Sequence, residues 1–193
     1  MKGLRMHFVI VPGIDGSDEE HWQSRWQAEW GMDASRIAPS SWAEPNLDDW
    51  VGAIDRAVTD SHCDQIVLVA HSLGSLAAAQ WVTRRRPDRS GACGVFLVAP
   101  PDNSAPNFPK TAHGFSSLRR VPLHVPGVVV CSDNDPYCAT STGRLIANAF
   151  QLDHISAGNV GHINSSSGLG RWDFGRALLT AFSSGLVASQ TAS

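Results

Sequence analysis

Short apolar runs rich in β-branched residues alternate along the chain with amphipathic stretches. His7-Phe8-Val9-Ile10-Val11 reads as a strand, with Pro12-Gly13-Ile14-Asp15-Gly16 as the loop after it. Ser17 and Glu20 have capping-box spacing, which predicts a helix carrying Trp22, Trp26 and Trp30 on one stripe. Arg36-Ile37-Ala38 predicts a short strand. Asn46 can cap a second helix with Trp50, Ile54, Ala57 and Val58 on one face. Residues 66–70 are apolar throughout, as in a central strand covered on both faces. A helix is expected over 73–86, ending before Pro87. Further strands are expected at 94–99, 128–131 and 154–156, and helices at 140–150 and 172–182.

The strand–helix repetition predicts an α/β fold of three layers, with a mostly parallel central sheet of about six strands and helices on both faces. No internal repeat or linker interrupts it, so residues 1–187 are read as one domain and the small, polar stretch 188–193 as a frayed tail. Residues 100–126 break the rhythm. They lack periodicity and are rich in Pro and Asn, as expected of a lid or binding loop.

Composition narrows the function. The 193 residues suit a single core, and 42% hydrophobic with 17% charged residues fits neither a disordered chain nor a membrane bundle. A net charge of -3 offers no basic footprint for nucleic acid, and Arg84-Arg85-Arg86 reads as a solvated helix end. No apolar run approaches the roughly 20 residues a membrane helix needs, and the first residues lack a signal-peptide core. Cys63, Cys93, Cys131 and Cys138 form no C-x-x-C pair, so reduced thiols and a cytoplasmic location are expected.

In a parallel sheet, ligands sit beyond the carboxyl ends of the strands. The loops there supply, in chain order, a serine, two acids and a histidine. Ala70-His71-Ser72-Leu73-Gly74 fits the nucleophile elbow G-x-S-x-G with Ala at the first Gly. The alternative for Ser72 is a plain helix cap. Serine is a poor nucleophile without an adjacent base, and His162 in its glycine-flanked loop is the candidate. Asp135 is the expected acid on that imidazole, with Asp133 as the alternative. Backbone N–H groups of Ile14 and Leu73 are the expected oxyanion donors. Asp15, Trp42, Phe108, His113 and Phe115 are candidates for the substrate pocket, as is His21, whereas His71 reads as structural. No pair of His, Cys or Asp has metal-ligand spacing and no phosphate-binding glycine loop is present, so neither metal nor cofactor is expected.

Together these segments resemble the α/β-hydrolase superfamily. More narrowly, they resemble the small serine hydrolases of the retinoblastoma-binding-protein-like and YdeN types. The resemblance is carried by Val11-Pro12-Gly13, Ser41-Trp42, Asp48-Asp49-Trp50, His71-Ser72-Leu73-Gly74 and Ala99-Pro100-Pro101-Asp102. It continues through Ser132-Asp133-Asn134-Asp135-Pro136-Tyr137, Gly161-His162-Ile163-Asn164 and Ser167-Gly168-Leu169-Gly170-Arg171-Trp172. It implies a core without a cap domain and a triad on Ser72, Asp135 and His162. The expected activity is hydrolysis of small carboxylic esters through an acyl-enzyme, with thioesters and amides as related substrates. An interaction module on the same fold is the alternative from another class. An aminopeptidase-like amidase is a third reading, for which Asp15, Glu19 or Glu44 would have to face the substrate amine.

Overall fold

The computed structural model describes residues 6–63, 65–85 and 92–191. Among them are six strands: β1 (Met6–Val11), β2 (Ala34–Arg36), β3 (Gln65–His71), β4 (Gly94–Val98), β5 (Gly127–Cys131) and β6 (Asp153–Ser156). They form one sheet in the order β2-β1-β3-β4-β5-β6, and every pairing is parallel. Five helices flank it: α1 (Trp22–Trp30), α2 (Leu47–Asp60), α3 (Leu73–Arg84), α4 (Thr140–Phe150) and α5 (Asp173–Thr191).

The pleat sorts the core into two halves, because successive strand residues face opposite sides. Val9, Val11, Ile66, Leu68, Ala70, Val95, Leu97 and Val129 pack with α2, α3 and α4. Ile10, Val67, Val69, Phe96, Val98 and Val130 pack with α1 and α5. The result is three layers, and no cap domain is present among the described residues. Trp22, Trp26, Trp50 and Trp81 are fully buried fillers of these two halves.

Local departures from the sequence expectations have local causes. α1 begins at Trp22 rather than after Ser17. The Asp18 carboxylate first closes a turn by accepting from the Glu20 and His21 N–H groups, and His21 then caps the helix by accepting from Gln23 N–H. β2 lies at Ala34–Arg36, two residues early, while Ile37 is still held by an N–H bond to Ile10 O. Residues 188–191, expected to fray, continue α5, where Ser184 and Ser189 hydroxyls bond to the carbonyls four residues back. α3 ends at Arg84, two residues before the expected end, because Arg85 at its C-cap is already extended; Arg86 and residues 192–193 lie outside the described residues. Of the arginine cluster, Arg84 pairs with Asp48 and Arg85 with Asp55 across to α2. Among the described residues no helix is long and apolar enough to cross a membrane.

The connection from β4 to β5 is pinned rather than free. The Asn103 amide donates to the carbonyls of Phe115 and Leu118, at 3.2 and 3.1 Å, and Arg120 bonds both Asp102 and Asn103. Ala112, Phe115, Leu123 and Val125 from this segment are buried in the core.

One contact fixes α3 against the sheet. A Cβ on Gly74 would lie 2.3 Å from the carbonyl oxygens of both Val11 and Pro12. Backbone on both sides leaves no room to yield. Gly74→Ala is therefore expected to destabilise the protein by about 3 kcal/mol or more, read from denaturant unfolding at neutral pH.

Candidate active site

The sheet order places β1 and β3 side by side, and the site lies beyond their carboxyl ends, where the connections turn to opposite directions. Ser72 stands between β3 and α3 with φ 53° and ψ −126°, a strained conformation for a residue with a side chain. Its N–H bonds Val98 O at 2.9 Å, which holds the turn to β4. Gly13 permits the turn from the other side, since a Cβ there would lie 2.8 Å from Ser72 Cβ. The Ile14 and Leu73 N–H groups beside Ser72 donate to no described acceptor, as suits oxyanion donors.

His162 reaches Ser72 from the loop after β6. Its Nε2 is 2.8 Å from Ser72 Oγ, and its Nδ1 is 2.9 and 3.0 Å from the two Asp135 oxygens. The Asp135 side chain is 2% exposed and that of His162 9%. Asp135 also accepts from Tyr137 N–H, which orients the carboxylate. Asp133 faces elsewhere: its carboxylate accepts from Ser156 Oγ at 2.8 Å.

The acid and base loops are stitched together. Gly161 N–H donates to Asn134 Oδ1 at 2.8 Å, and Val160 N–H donates to Ser132 Oγ, whose hydroxyl donates on to Asn134. Below the base lies a run of imidazoles. The ring centroids of His21 and His71 are 4.8 Å apart, and those of His71 and His162 are 5.0 Å apart. Burial pushes the His21 imidazole down to about 4, and burial followed by its histidine neighbours holds His71 well below the usual range. Burial thus favours the neutral form of both rings. The Asp18 carboxyl is held below its ordinary value, first by the 2.7 Å bond from Ser165.

A cavity of about 400 Å³ opens over Ser72. Its lining is apolar at Ile14, Leu73, Pro101, Pro109 and Tyr137 and polar at Asp15, Asp18, Asn164, Ser165 and Ser166. His21 and His71 also line it. Of the pocket candidates read from sequence, Asp15 and His21 face this space.

Four candidates do not line the cavity, each for a packing reason. Trp42 lies on the Gly16 backbone and its carbonyl accepts from Asp15 N–H at 3.1 Å, so it supports the loop carrying Ile14 from behind. Phe108 packs on the α2/α3 side of the core, and its neighbour Pro109 faces the cavity instead. His113 is exposed, with its backbone bridged to Pro45 and Leu47. Phe115 is fully buried edge-on against Trp50. Tyr137, 4.6 Å edge-on to the His162 ring, was not singled out as a lining residue; its signal was its place two residues past Asp135. Among the described residues no group of three His, Cys, Asp or Glu could hold a metal ion.

A three-layer parallel sheet with a serine on a strained strand-to-helix turn, bonded to a histidine from the last strand's loop, defines an α/β hydrolase. Comparison with known proteins narrows the class. The chain belongs to the serine hydrolase family, whose profile matches residues 8–181. A YdeN-like hydrolase from Pectobacterium atrosepticum shares 33% identity over 94% of this chain and 92% of its own, with a TM-score of 0.82. The ydeN gene product of Bacillus subtilis superposes with a TM-score of 0.76 at 19% identity, covering 93% of this chain and 99% of its own. An esterase domain from Rhodothermus marinus does so with a TM-score of 0.64 at 14% identity, covering 92% and 87%. At those identities the last two share the fold alone. No curated protein sequence matches the chain.

The buried neutral histidines carry a pH signature. A folded pKa below the unfolded one means that the unfolded chain binds more protons as pH drops, so stability is present above the unfolded value and is lost on acidification. For His21 that window runs from about 6.5 down to about 4. Unfolding free energy is expected to fall across it, and His21→Asn, which retains a capping oxygen, should flatten the slope. Urea titrations at several pH values measure both.

Proposed function

We propose that the chain hydrolyses small carboxylic esters through a covalent acyl-Ser72 intermediate. The observation that carries this reading is the continuous 2.8 and 2.9 Å path from Ser72 Oγ through His162 to Asp135. His162 Nε2 takes the hydroxyl proton as Oγ bonds the carbonyl carbon, and the resulting oxyanion faces the Ile14 and Leu73 N–H groups. The bond to the leaving oxygen then breaks, and that oxygen leaves with the proton from His162. Water repeats the sequence on the acyl-enzyme: His162 takes its proton, its oxygen bonds the acyl carbon, and Ser72 Oγ leaves with that proton. Asp135 holds Nδ1–H and stabilises the imidazolium throughout.

The cavity volume of about 400 Å³ suits a small acyl or alcohol group against its apolar lining residues. The expected test is burst release of chromophore from p-nitrophenyl acetate by the native protein. Ser72→Ala should lower kcat/KM on the order of 10⁶-fold and abolish labelling by a fluorophosphonate. Full labelling of that variant would remove Ser72 from the nucleophile role.

A second reading has its own support. Asp15 and Asp18 line the cavity, and among the described residues no Arg or Lys does. Two carboxylates in the lining favour a cation over an acid. Substrates bearing an amine, such as aminoacyl esters or amides, fit that lining. Glu19 and Glu44 are not among the lining residues, which leaves Asp15 as the carboxylate of the three to carry this role. Asp15→Asn is then expected to raise KM for an aminoacyl p-nitroanilide about tenfold while raising it less for p-nitrophenyl acetate. Equal changes for both substrates would remove this second reading.

A further inference from the structure

The loop that presents His162 hangs from two buried ring N–H groups. His71 Nε2 is 2.9 Å from the carbonyl oxygen of His162, and Trp22 Nε1 is 2.8 Å from that of Ile163. An imidazole nitrogen facing a carbonyl carries the proton, so both are donors. Both rings are more than nine-tenths buried. Between the two carbonyls lies Ile163, a β-branched residue at φ +52° whose side chain is fully buried beside Trp22 and Trp172. Such a conformation persists only where the surroundings over-determine it. Here the peptide planes before and after Ile163 are each pinned by one donor. That leaves the His162 backbone little freedom to turn. His71 is also the residue before Ser72, so a single side chain joins the chain segment of the serine to that of the histidine, 91 positions away.

We propose that His71 and Trp22 are positioning residues for the proton-transfer step: by holding the His162 and Ile163 carbonyls they aim the imidazole at Ser72 Oγ. Neither reaches the reacting atoms, and the inference builds on the acyl-enzyme reading above. A 1 Å displacement of an aligned group can cost about a hundredfold in rate. The contact that reports positioning directly is the His162–Asp135 hydrogen bond, whose Nδ1 proton gives a downfield NMR signal whether or not the protein turns over an ester.

The decisive set is His71→Leu, His71→Gln and Trp22→Phe, each first matched to the native far-ultraviolet circular dichroism. His71→Leu and Trp22→Phe lack the donor, whereas the Gln amide offers one near the position of Nε2. The expected result for the two donor-less variants is kcat for p-nitrophenyl acetate about ten- to a hundredfold lower with KM within twofold. The downfield signal should broaden or vanish, and His71→Gln should restore both. Native kcat and a native signal in His71→Leu and Trp22→Phe would overturn the proposal. So would an equal loss in His71→Gln and His71→Leu, which would mark a packing role. If His71→Leu does not fold, the comparison of His71→Gln with Trp22→Phe decides by the same criteria. Failure of the acyl-enzyme reading looks different: Ser72→Ala would still label, whereas the NMR signal would keep its dependence on His71.

Discussion

Everything at the catalytic edge depends on how closely the first turn of α3 approaches the end of β1. Gly74 sits against the Val11 and Pro12 carbonyls, and Gly13 against Ser72 itself. With side chains at either place the elbow would lift away from β1, taking Ser72 with it. Holding Ser72 at φ 53° costs on the order of 1–3 kcal/mol. The burial of Leu73, Leu76, Ala77 and Ala78 on the same helix offsets it. The strain is thus sustained by an apolar interface that would form in any case.

Around that fixed point, polar contacts determine where the other groups lie. The loops after β5 and β6 share Ser132 and Asn134 as common partners, so Asp135 and His162 are set relative to each other independently of Ser72. Asp18 ties the base loop to the entrance of α1 through Ser165. These two lining residues of the cavity therefore also join N-terminal and C-terminal parts of the chain. Asp133 belongs to this scaffold through Ser156, which explains why two aspartates in one short loop have separate duties.

The layers and the three side chains that meet at the sheet edge were legible in the sequence because each rests on a local pattern. Apolar runs such as Ile66–Ala70 announce buried parallel strands, and the order Ser72, Asp135, His162 follows the strand ends. What was hidden depends on contacts between distant segments. Trp42, Phe108, His113 and Phe115 lie in loops near the site in sequence, but a loop residue's direction is set by whichever surface it packs on. Phe115 found Trp50, and Trp42 found Gly16. Likewise Ser17 and Glu20 have the spacing of a cap, yet Asp18 between them closes a tighter turn and moves the helix start to Trp22. Small polar composition at the tail suggests fraying, whereas hydroxyls that bond back along α5 satisfy carbonyls within the helix.

The indole contacts from α1 span an unusual distance along the chain. Trp22 bonds a carbonyl 141 residues later and Trp26 one 145 residues later. Closing loops of that length is entropically costly and slow, and it contributes nothing until both ends are in place. On a ribosome, α1 emerges early with its tryptophan stripe uncovered, and its carbonyl partners arrive only with the last quarter of the chain. The site is therefore a late product of folding. A half-folded chain could hold the sheet's central strands and the serine turn, yet leave the His162 loop without the indole donors that fix it.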